Sequence, residues 1–274
     1  MENIILIDKQ KCLKDYACIK DCPIGLLEKD PEGYPGPIKG AETFCVDCGH
    51  CVAVCPEGAL DQRKMPDAEC RLLEKHLDLT ADKVEQWLRS RRSIRQYKDK
   101  PVESEKIRRL LETAAYAPSG HNAQPARWLV IQDKPEVQRL AGLVVDWMQQ
   151  VIKTQPELAK SLLLDSVVAA WEQGKDRVLR NAPHLIIGYA PKDERRAPAA
   201  IVTAIAYIEL ATPALGLGTC WAGYFFGACQ LYDPLQKALA LPEGQAVYGA
   251  LMLGYPKVKY HRIPLRKPLD VIWR

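Results

Sequence analysis

The sequence lacks a strong excess of charge of either sign, since its formal net charge at pH 7 is +4 over 274 residues. A balance this small argues against a protein that binds nucleic acid, which needs a concentrated positive surface. The charge is nevertheless uneven. Residues 1–65 carry 8 Lys and Arg against 11 Asp and Glu, whereas the remainder carries 30 against 23. An acidic segment is therefore joined to a basic one, and a basic segment suits an anionic cofactor.

Long hydrophobic runs are also scarce. Residues 197–217 approach the length of a membrane span, but Glu209 and Pro213 interrupt the run. We therefore expect no membrane span here, and instead a fully buried helix in a soluble core or a dimer interface. The N-terminus shows no signal-peptide pattern and starts on a strand-like run at residues 4–7. We expect a cytoplasmic protein without disulfides.

Two common catalytic patterns are missing as well. No order of Ser, His and Asp, or of Cys and His, indicates a nucleophilic enzyme. The glycines at 216 and 218 do not form a Rossmann dinucleotide site, because they follow a predicted helix and no third glycine stands in register. These absences argue against nucleophilic catalysis and against a Rossmann dinucleotide site.

Cysteine, in contrast, is concentrated: seven of the ten cysteines lie between positions 12 and 55. The two runs are Cys12-x5-Cys18-x3-Cys22-Pro23 and Cys45-x2-Cys48-x2-Cys51-x3-Cys55-Pro56. This spacing resembles that of bacterial two-cluster ferredoxins, in which the last Cys of each run ligates the other cluster. The resemblance covers about the first sixty residues and implies two iron–sulfur clusters. Two structural zinc sites are the alternative for such cysteines, and the crossed spacing favours clusters.

One ligand position departs from the ferredoxin pattern, because Asp15 stands where a Cys is expected three residues after Cys12. A carboxylate is a harder ligand than a thiolate and holds the iron of a soft cluster less firmly. Cluster one is then either a 4Fe–4S cube with an exchangeable corner or a 3Fe–4S cluster. The resemblance implies that cluster one is bound by Cys12, Cys18 and Cys55, with either Asp15 or no protein residue as the fourth ligand. It implies that cluster two is bound by Cys22, Cys45, Cys48 and Cys51.

The remaining sequence predicts a larger domain of alternating helices and strands. We assign residues 1–65 to the ferredoxin-like domain, 66–79 to a polar helical connector and 80–274 to the second domain. Hydrophobic periodicity predicts helices from Thr80, from Ser104, over 137–151, over 156–174, from 197 and from Asp233, and strands over 128–131, 184–189, 219–226 and 246–253. Long helices between strands indicate an α+β or α/β layer fold. The pattern does not reveal the strand order.

Three segments of the second domain carry a more specific signal. Arg91, Arg92, Ser93 and Arg95 form a short run suited to gripping a phosphate, although charged helix ends also have this composition. The stretch 117–125 reads Ala-Pro-Ser-Gly-His-Asn-Ala-Gln-Pro, and a Gly-rich segment spans 216–223. Together these motifs resemble the nitroreductase family of FMN flavoproteins over about residues 80–274. That resemblance implies an α+β sandwich forming an intimate homodimer, with FMN bound at the subunit interface.

The resemblance also implies roles for individual residues. The arginine run would hold the FMN phosphate, the ribityl chain and one ring edge, and Arg266 would reach the phosphate from the C-terminal arm. Small residues near the ring let the backbone approach a ligand closely, so that a backbone N–H can reach N5. The implied cofactor-binding residues are Arg91, Arg92, Ser93, Arg95 and Arg266, then Pro118, Ser119 and Asn122 from the partner subunit, and Trp221, Ala222 and Gly223 along the ring.

The combined prediction is a ferredoxin–flavoprotein fusion. An external electron donor would reduce the clusters, the clusters would feed FMN, and FMN would reduce a small, flat, electron-poor substrate such as a nitroaromatic or a quinone. Two alternatives remain open. In the first, the chain is a redox module that passes electrons to a protein partner without turning over a small molecule. In the second, it carries out another reaction of the family, such as reductive dehalogenation or flavin fragmentation.

Overall fold

The computed structural model describes residues 4–274 and divides into two compact units. The first unit contains the described residues up to Asp78 together with Gly120–Ala123, and the second contains Leu79–Ser119 and Gln124–Arg274. The predicted connector at 66–79 thus groups almost entirely with the cysteine-rich unit. The grouping of Gly120–Ala123 with that unit has no counterpart in the predicted boundaries.

The first unit is built on two small antiparallel strand pairs. β1 (Ile5–Ile7) pairs with β4 (Leu60–Gln62), and β2 (Leu27–Lys29) pairs with β3 (Pro35–Pro37). Its apolar core is correspondingly small and includes several of the cysteines or packs against them. A core of this size gives little stability by itself, so the groups that the cysteines bind contribute to folding.

Three four-residue helices complete the first unit: α1 (Ala17–Lys20), α2 (Ala41–Phe44) and α3 (His50–Ala53). The residue before each helix adopts a left-handed conformation. Glycine occupies that position before α3, where Gly49 has φ 74° between two cysteines of the second run. Glycine adopts this conformation without steric cost, which allows the chain to turn sharply around the cysteine side chains.

The second unit contains a four-stranded antiparallel sheet in the order β5-β6-β8-β7. The strands are β5 (Arg127–Ile131), β6 (His184–Pro191), β7 (Gly218–Trp221) and β8 (Gln245–Gly254). Neighbouring side chains of β6 point to opposite faces, and both faces are covered. Leu185 and Ile187 belong to one apolar cluster, whereas Ile186 and Ala190 belong to another. The unit is therefore a helix–sheet–helix sandwich, as expected for the α+β fold.

Eight helices surround this sheet in the described part of the chain. They are α4 (Ala81–Ser90), α5 (Ser104–Ala114), α6 (Lys134–Thr154), α7 (Pro156–Ser161), α8 (Leu164–Glu172), α9 (Ala197–Ala211), α10 (Gly223–Leu231) and α11 (Asp233–Ala238). α6, α8 and α10 contribute to one cluster, and α5 and α9 to the other. α4 has no buried residue.

α9 packs closely on the sheet because two glycines lie beneath it. A Cβ at Gly188 would come 2.6 Å from Ile201, and a Cβ at Gly249 would come 2.5 Å from Ile205. The helix is buried on one face only, since Val202 is 47% and Tyr207 36% exposed. Complete burial in the core of a single chain, one of the two expectations, is therefore wrong, whereas burial of the exposed face in a dimer interface stays a prediction. Ala197–Leu215 is long and apolar enough to cross a membrane, but that test rests on length and composition alone.

Several predicted elements differ in detail. The connector contains two short 3-10 turns, Asp67–Glu69 and Lys75–Leu77, instead of a helix. The helix predicted over 156–174 is interrupted at Leu163, which has φ 57°. Only the first part of 219–226 is strand, because α10 begins at Gly223. Ser104 is the first residue of α5, and Glu103 precedes it as the N-cap.

Candidate functional site

The first unit contains two cavities lined by cysteine side chains. One is lined by Cys22, Cys45, Cys48 and Cys51 among other residues. The other is lined by Cys12, Asp15, Cys18 and Cys55. The fold therefore brings together the two crossed sets that the sequence pattern indicates, each taking one residue from the other run.

The donor chemistry of these cavities fits iron–sulfur clusters. Within residues 4–274, no three Cys, His, Asp or Glu side chains converge closely enough to hold one metal ion. Thiolates arranged around a wider space instead suit a cube whose corners are separate iron atoms. Burial raises the pKa of the Cys51 thiol to about 11 and also raises that of Cys18. Ligation by thiolate must displace these protons, so cluster assembly releases protons.

Backbone N–H groups also point at cysteine sulfur atoms. Leu26 N–H donates to Cys22 Sγ at 3.3 Å, and Ala59 N–H donates to Cys55 Sγ at 3.2 Å. Each donor lies four residues after the Cys of a Cys-Pro pair, so the two runs end in the same local geometry. Hydrogen bonds to sulfur are among the features that set a cluster's reduction potential.

Asp15 lines the cavity of cluster one, but one of its oxygens is already used. Asp15 Oδ1 accepts a hydrogen bond from Ala17 N–H at 3.1 Å, which closes a turn at the start of α1. Such a turn is a common local use of an aspartate side chain. The carboxylate is therefore near the cavity and fixed in orientation, and its ligation of iron stays a prediction.

The loop between Cys45 and Cys48 is held by a polar network around Asp47. Gln62 Nε2 donates to Asp47 Oδ1 at 2.5 Å, and Arg63 Nε and Lys64 Nζ lie 3.1 Å and 2.6 Å from its carboxylate oxygens. Burial opposes ionisation of Asp47, but these partners lower its pKa to about 2. Gln62 Nε2 also lies 3.9 Å from Cys45 Sγ. The loop next to cluster two is thus anchored by a partly buried, charged side chain.

Asn122 belongs to the same unit and contacts the same loop. Its Nδ2 donates to Val46 O at 3.2 Å and to Asp47 O at 2.8 Å. Both protons of that amide nitrogen are thereby used. A flavin contact through this amide nitrogen would compete with its two bonds to the loop.

In the second unit, the predicted arginine run lies along β7. Ile94 N–H donates to Thr219 O at 2.8 Å, which places residues 91–95 beside the strand. Gly218 allows this approach, because a Cβ there would collide with Ile94. The Ser93 hydroxyl hydrogen-bonds Cys220, and Arg95 is close enough to interact with it electrostatically. Burial nevertheless raises the pKa of the Cys220 thiol.

Glu209 of α9 joins two of the predicted flavin contacts. Arg91 Nη1 lies 3.2 Å from Glu209 Oε1, and Trp221 Nε1 donates to Glu209 Oε2 at 3.0 Å. Glu209 is 8% exposed. Sequence reasoning noted this residue only as an interruption of an apolar run. A carboxylate in such a run needs buried partners, and that requirement is the signal that was missed.

Arg92 provides a direct test of whether the run can accept an anionic ligand. Its Nη2 donates to Arg89 O at 2.7 Å. Its Nε is buried, and in the described part of the chain it has no hydrogen-bond partner. A buried donor without an acceptor is costly, and an anionic oxygen from a ligand would satisfy it. The arginine run therefore fits a phosphate group.

For the other predicted flavin contacts, the structure shows which of their polar groups are already hydrogen-bonded within the protein. Ser119 Oγ accepts from Gln124 N–H at 3.0 Å, which closes the loop after exposed Pro118. Ala222 N–H donates to Ala250 O at 2.9 Å and is not available for flavin N5. Gly223 N–H opens α10, where N–H groups have no acceptor within the helix, so it is the better donor. Arg266 lies in the exposed segment 257–274.

Comparison with known proteins gives two family matches. A model described as the nitroreductase family matches residues 88–255, and a model described as a 4Fe-4S dicluster domain matches residues 4–67. The match to a dicluster domain agrees with the two cysteine-lined cavities.

Curated relatives match about two thirds of this chain. An NADH dehydrogenase of Thermus thermophilus is 31% identical over 198 residues, covering 67% of this chain and 92% of the relative. An iodotyrosine deiodinase of Thermotoga neapolitana is 27% identical over 185 residues, covering 64% and 90%. Among solved structures, a Bacteroides fragilis nitroreductase with bound FMN has a TM-score of 0.56 at 22% identity, covering 70% of this chain and 98% of that one. This last likeness supports the fold.

Proposed function

This chain belongs to the nitroreductase family and carries a 4Fe-4S dicluster domain, and from that premise we propose that it is an FMN-dependent oxidoreductase fed by its own iron–sulfur clusters. The observation that carries the proposal is the pair of cysteine-lined cavities in the same chain as an arginine run with an unsatisfied buried donor. One-electron carriers and an anion-binding site together suit a flavin that is reduced from within the protein.

The residues proposed to hold FMN divide by the part of the cofactor they suit. Arg92 Nε and the neighbouring guanidinium groups suit the phosphate, because Arg binds phosphate with directed, charge-assisted hydrogen bonds. Glu209 pairs with Arg91 and accepts a hydrogen bond from Trp221, which would hold Arg91 at its end of the cofactor and Trp221 along the ring. The proposed set is Arg91, Arg92, Ser93 and Arg95 at the phosphate, ribityl chain and ring edge, Trp221, Ala222 and Gly223 along the ring, and Pro118, Ser119, Asn122 and Arg266 in a homodimer.

When bound, FMN would supply the redox chemistry that links one-electron carriers to a two-electron reduction. The protein contributes position, charge and exclusion of water. The electrons come from an external low-potential donor, and the reduced substrate takes its protons from water or from hydroxyl groups at the site. For Trp221, the hydrogen bond to buried Glu209 fixes the indole beside β8, where Gly249 leaves room for it.

The proposed substrate is a small, flat, electron-poor molecule such as a nitroaromatic or a quinone. Reductive dehalogenation is a second candidate, and the 27% identity to an iodotyrosine deiodinase favours testing it. A third reading, a carrier that reduces a protein partner, predicts that no small molecule reoxidises the flavin.

An anaerobic assay separates these possibilities. The reconstituted protein is reduced with dithionite or with reduced ferredoxin, and flavin reoxidation is followed after addition of a nitroaromatic, a quinone or an iodophenol. NADH serves as the alternative donor. Turnover with one substrate class identifies the reaction, whereas flavin that stays reduced with all three supports the carrier.

Cysteine variants test the internal electron supply. Cys48→Ser removes a ligand of cluster two and should retain FMN but lose turnover driven by reduced ferredoxin. Cys70→Ser is the matched control, because Cys70 is exposed and lines neither cavity. Unchanged ferredoxin-driven turnover in Cys48→Ser would show that the clusters do not feed the flavin.

A further inference from the structure

Asn122 holds the backbone of the loop that carries two ligands of cluster two. Its Nδ2 donates to two successive carbonyl groups, Val46 O at 3.2 Å and Asp47 O at 2.8 Å. Asn122 lies in the segment Gly120–Ala123, which is far away in sequence but groups with the first unit. The two hydrogen bonds therefore tie a distant part of the chain to the loop between Cys45 and Cys48.

The segment accepts conformational strain in order to make these contacts. His121 and Asn122 both have positive φ angles, 53° and 52°. This conformation is unfavourable for a residue other than glycine, although Asn tolerates it better than most. The strain must be offset by contacts, and the Asn122 hydrogen bonds to the loop are contacts of the required kind.

The loop is held from its other side as well. Asp47 has φ 47°, and its carboxylate is held by Gln62, Arg63 and Lys64. Its carbonyl group is held by Asn122. Side chain and backbone of the same residue are thus fixed by different parts of the chain, which leaves the loop little freedom.

Fixing the two carbonyl groups also fixes two N–H groups. In a trans peptide the C=O and N–H bonds point in opposite directions. The carbonyl of Val46 shares its peptide plane with Asp47 N–H, and the carbonyl of Asp47 shares its plane with Cys48 N–H. Asn122 therefore determines the direction of two N–H groups next to the sulfur ligands without touching the cavity itself.

We infer that Asn122 is a positioning residue that raises the reduction potential of cluster two by orienting the Asp47 and Cys48 N–H groups toward it. The inference rests on the proposed function, since it requires clusters in both cavities. The step concerned is the uptake of one electron by cluster two from the external donor, with no bond made or broken. N–H groups near sulfur stabilise the more negative, reduced cluster, so their loss makes reduction harder.

Two uncharged variants test the inference in the full-length, cluster-loaded protein. Asn122→Leu keeps the size of the side chain and Asn122→Ala removes it, and neither can donate to the two carbonyls. Both should shift the one-electron equilibrium of cluster two roughly tenfold toward the oxidised form, which corresponds to about 59 mV to more negative potential. An EPR-monitored redox titration measures this shift.

The experiment contains two internal references. Cluster one should keep its potential, because the Asn122 bonds go to Val46 and Asp47 and not to the Cys12–Cys18 run. Its signal is identified by the change that Asp15→Cys produces. His121→Ala is the matched control variant, since His121 is an exposed residue of the same segment.

The outcomes separate the inference from the proposed function. A shift in cluster two alone, or loss of cluster two with cluster one retained, supports the positioning role. An unchanged cluster-two potential in both variants overturns it, as does simultaneous loss of both clusters, which would indicate general unfolding. A wild-type protein that binds no clusters after anaerobic reconstitution would instead refute the proposed function.

Discussion

Replacing Arg92 with alanine removes the buried Nε that has no partner within the described chain. Because Nη2 already donates to Arg89 O, the ligand contact expected from the structure is at least the one hydrogen bond from Nε. A hydrogen bond to a charged group contributes about 1.5–3 kcal/mol. Loss of one such bond corresponds to a Kd for FMN that is roughly ten- to a hundredfold higher.

Quenching of flavin fluorescence measures that Kd, and the absorbance of the clusters shows whether the first unit is intact. Arg89→Ala is the matched control. Arg89 lies one helical turn away, pairs with Glu85 at 2.7 Å on the surface, and offers Arg92 only its backbone carbonyl, which alanine retains. The control should keep the wild-type Kd.

Arg92→Lys separates directed hydrogen bonding from simple charge. Lysine keeps the positive charge but lacks the planar donor group, so its Kd should lie between those of wild type and Arg92→Ala. If Arg92→Ala binds FMN within about twofold of wild type, a change below 0.5 kcal/mol, the assignment of the arginine run to the phosphate fails.

Three further predictions concern pH, cluster one and assembly. His184 Nε2 accepts from Val102 N–H at 2.7 Å, so Nδ1 carries the proton and donates to Gln132 O at 3.0 Å. Burial lowers the pKa of His184. The contribution of neutral His184 to the stability of the fold is therefore complete above the unfolded pKa of about 6.5 and is lost as pH falls through the lower folded pKa. Thermal melts at falling pH should show this loss, and His184→Gln should lack it. For cluster one, air should produce the 3Fe–4S EPR signal before cluster two is damaged, and Asp15→Cys should suppress that signal and lower the cluster's potential; two equally robust clusters in the wild type would make Asp15 a turn residue only. Sedimentation at micromolar protein should give about twice the chain mass of 30.8 kDa, because Leu265, Leu269 and Trp273 in the C-terminal segment are 96%, 91% and 89% exposed; a monomer that binds FMN tightly would contradict a shared site.

The sequence indicated which cysteines lie together, because ligand spacing is itself a geometric constraint, and their ligation of iron stays a prediction. Cys22 and Cys55 each had to reach the opposite run, and both line the expected cavities. The layer fold was predictable for a similar reason, since a strand such as β6, apolar at successive positions, must be covered on both faces. The strand order was not predictable, because every pairing in this sheet is antiparallel and no local signal states which strands are neighbours.

The contacts made by Asn122 were out of reach for a different reason. The motif around residues 117–125 indicates a flavin-binding loop, and nothing local shows that four of its residues group with the cysteine-rich unit. The positive φ angles at His121 and Asn122 depend on tertiary contacts as well. His121 and Asn122 lie in a recognisable motif, but the loop near Asp47 that Asn122 contacts is distant in sequence. The motif therefore identifies these residues without indicating what they contact.

The partners of Glu209, unlike those of Asn122, were predictable from the sequence. An ionised carboxylate cannot remain buried without partners, and removing one partner of a buried pair costs about 3–5 kcal/mol. Its partners had to be basic or donor side chains near α9, and Arg91 and Trp221 are both among the residues already chosen for the flavin. The carboxylate therefore connects two independently predicted contacts, the arginine run and the Gly-rich segment after β7. Because both motifs contact the same buried side chain, they belong to a single site. Neither motif alone would show this.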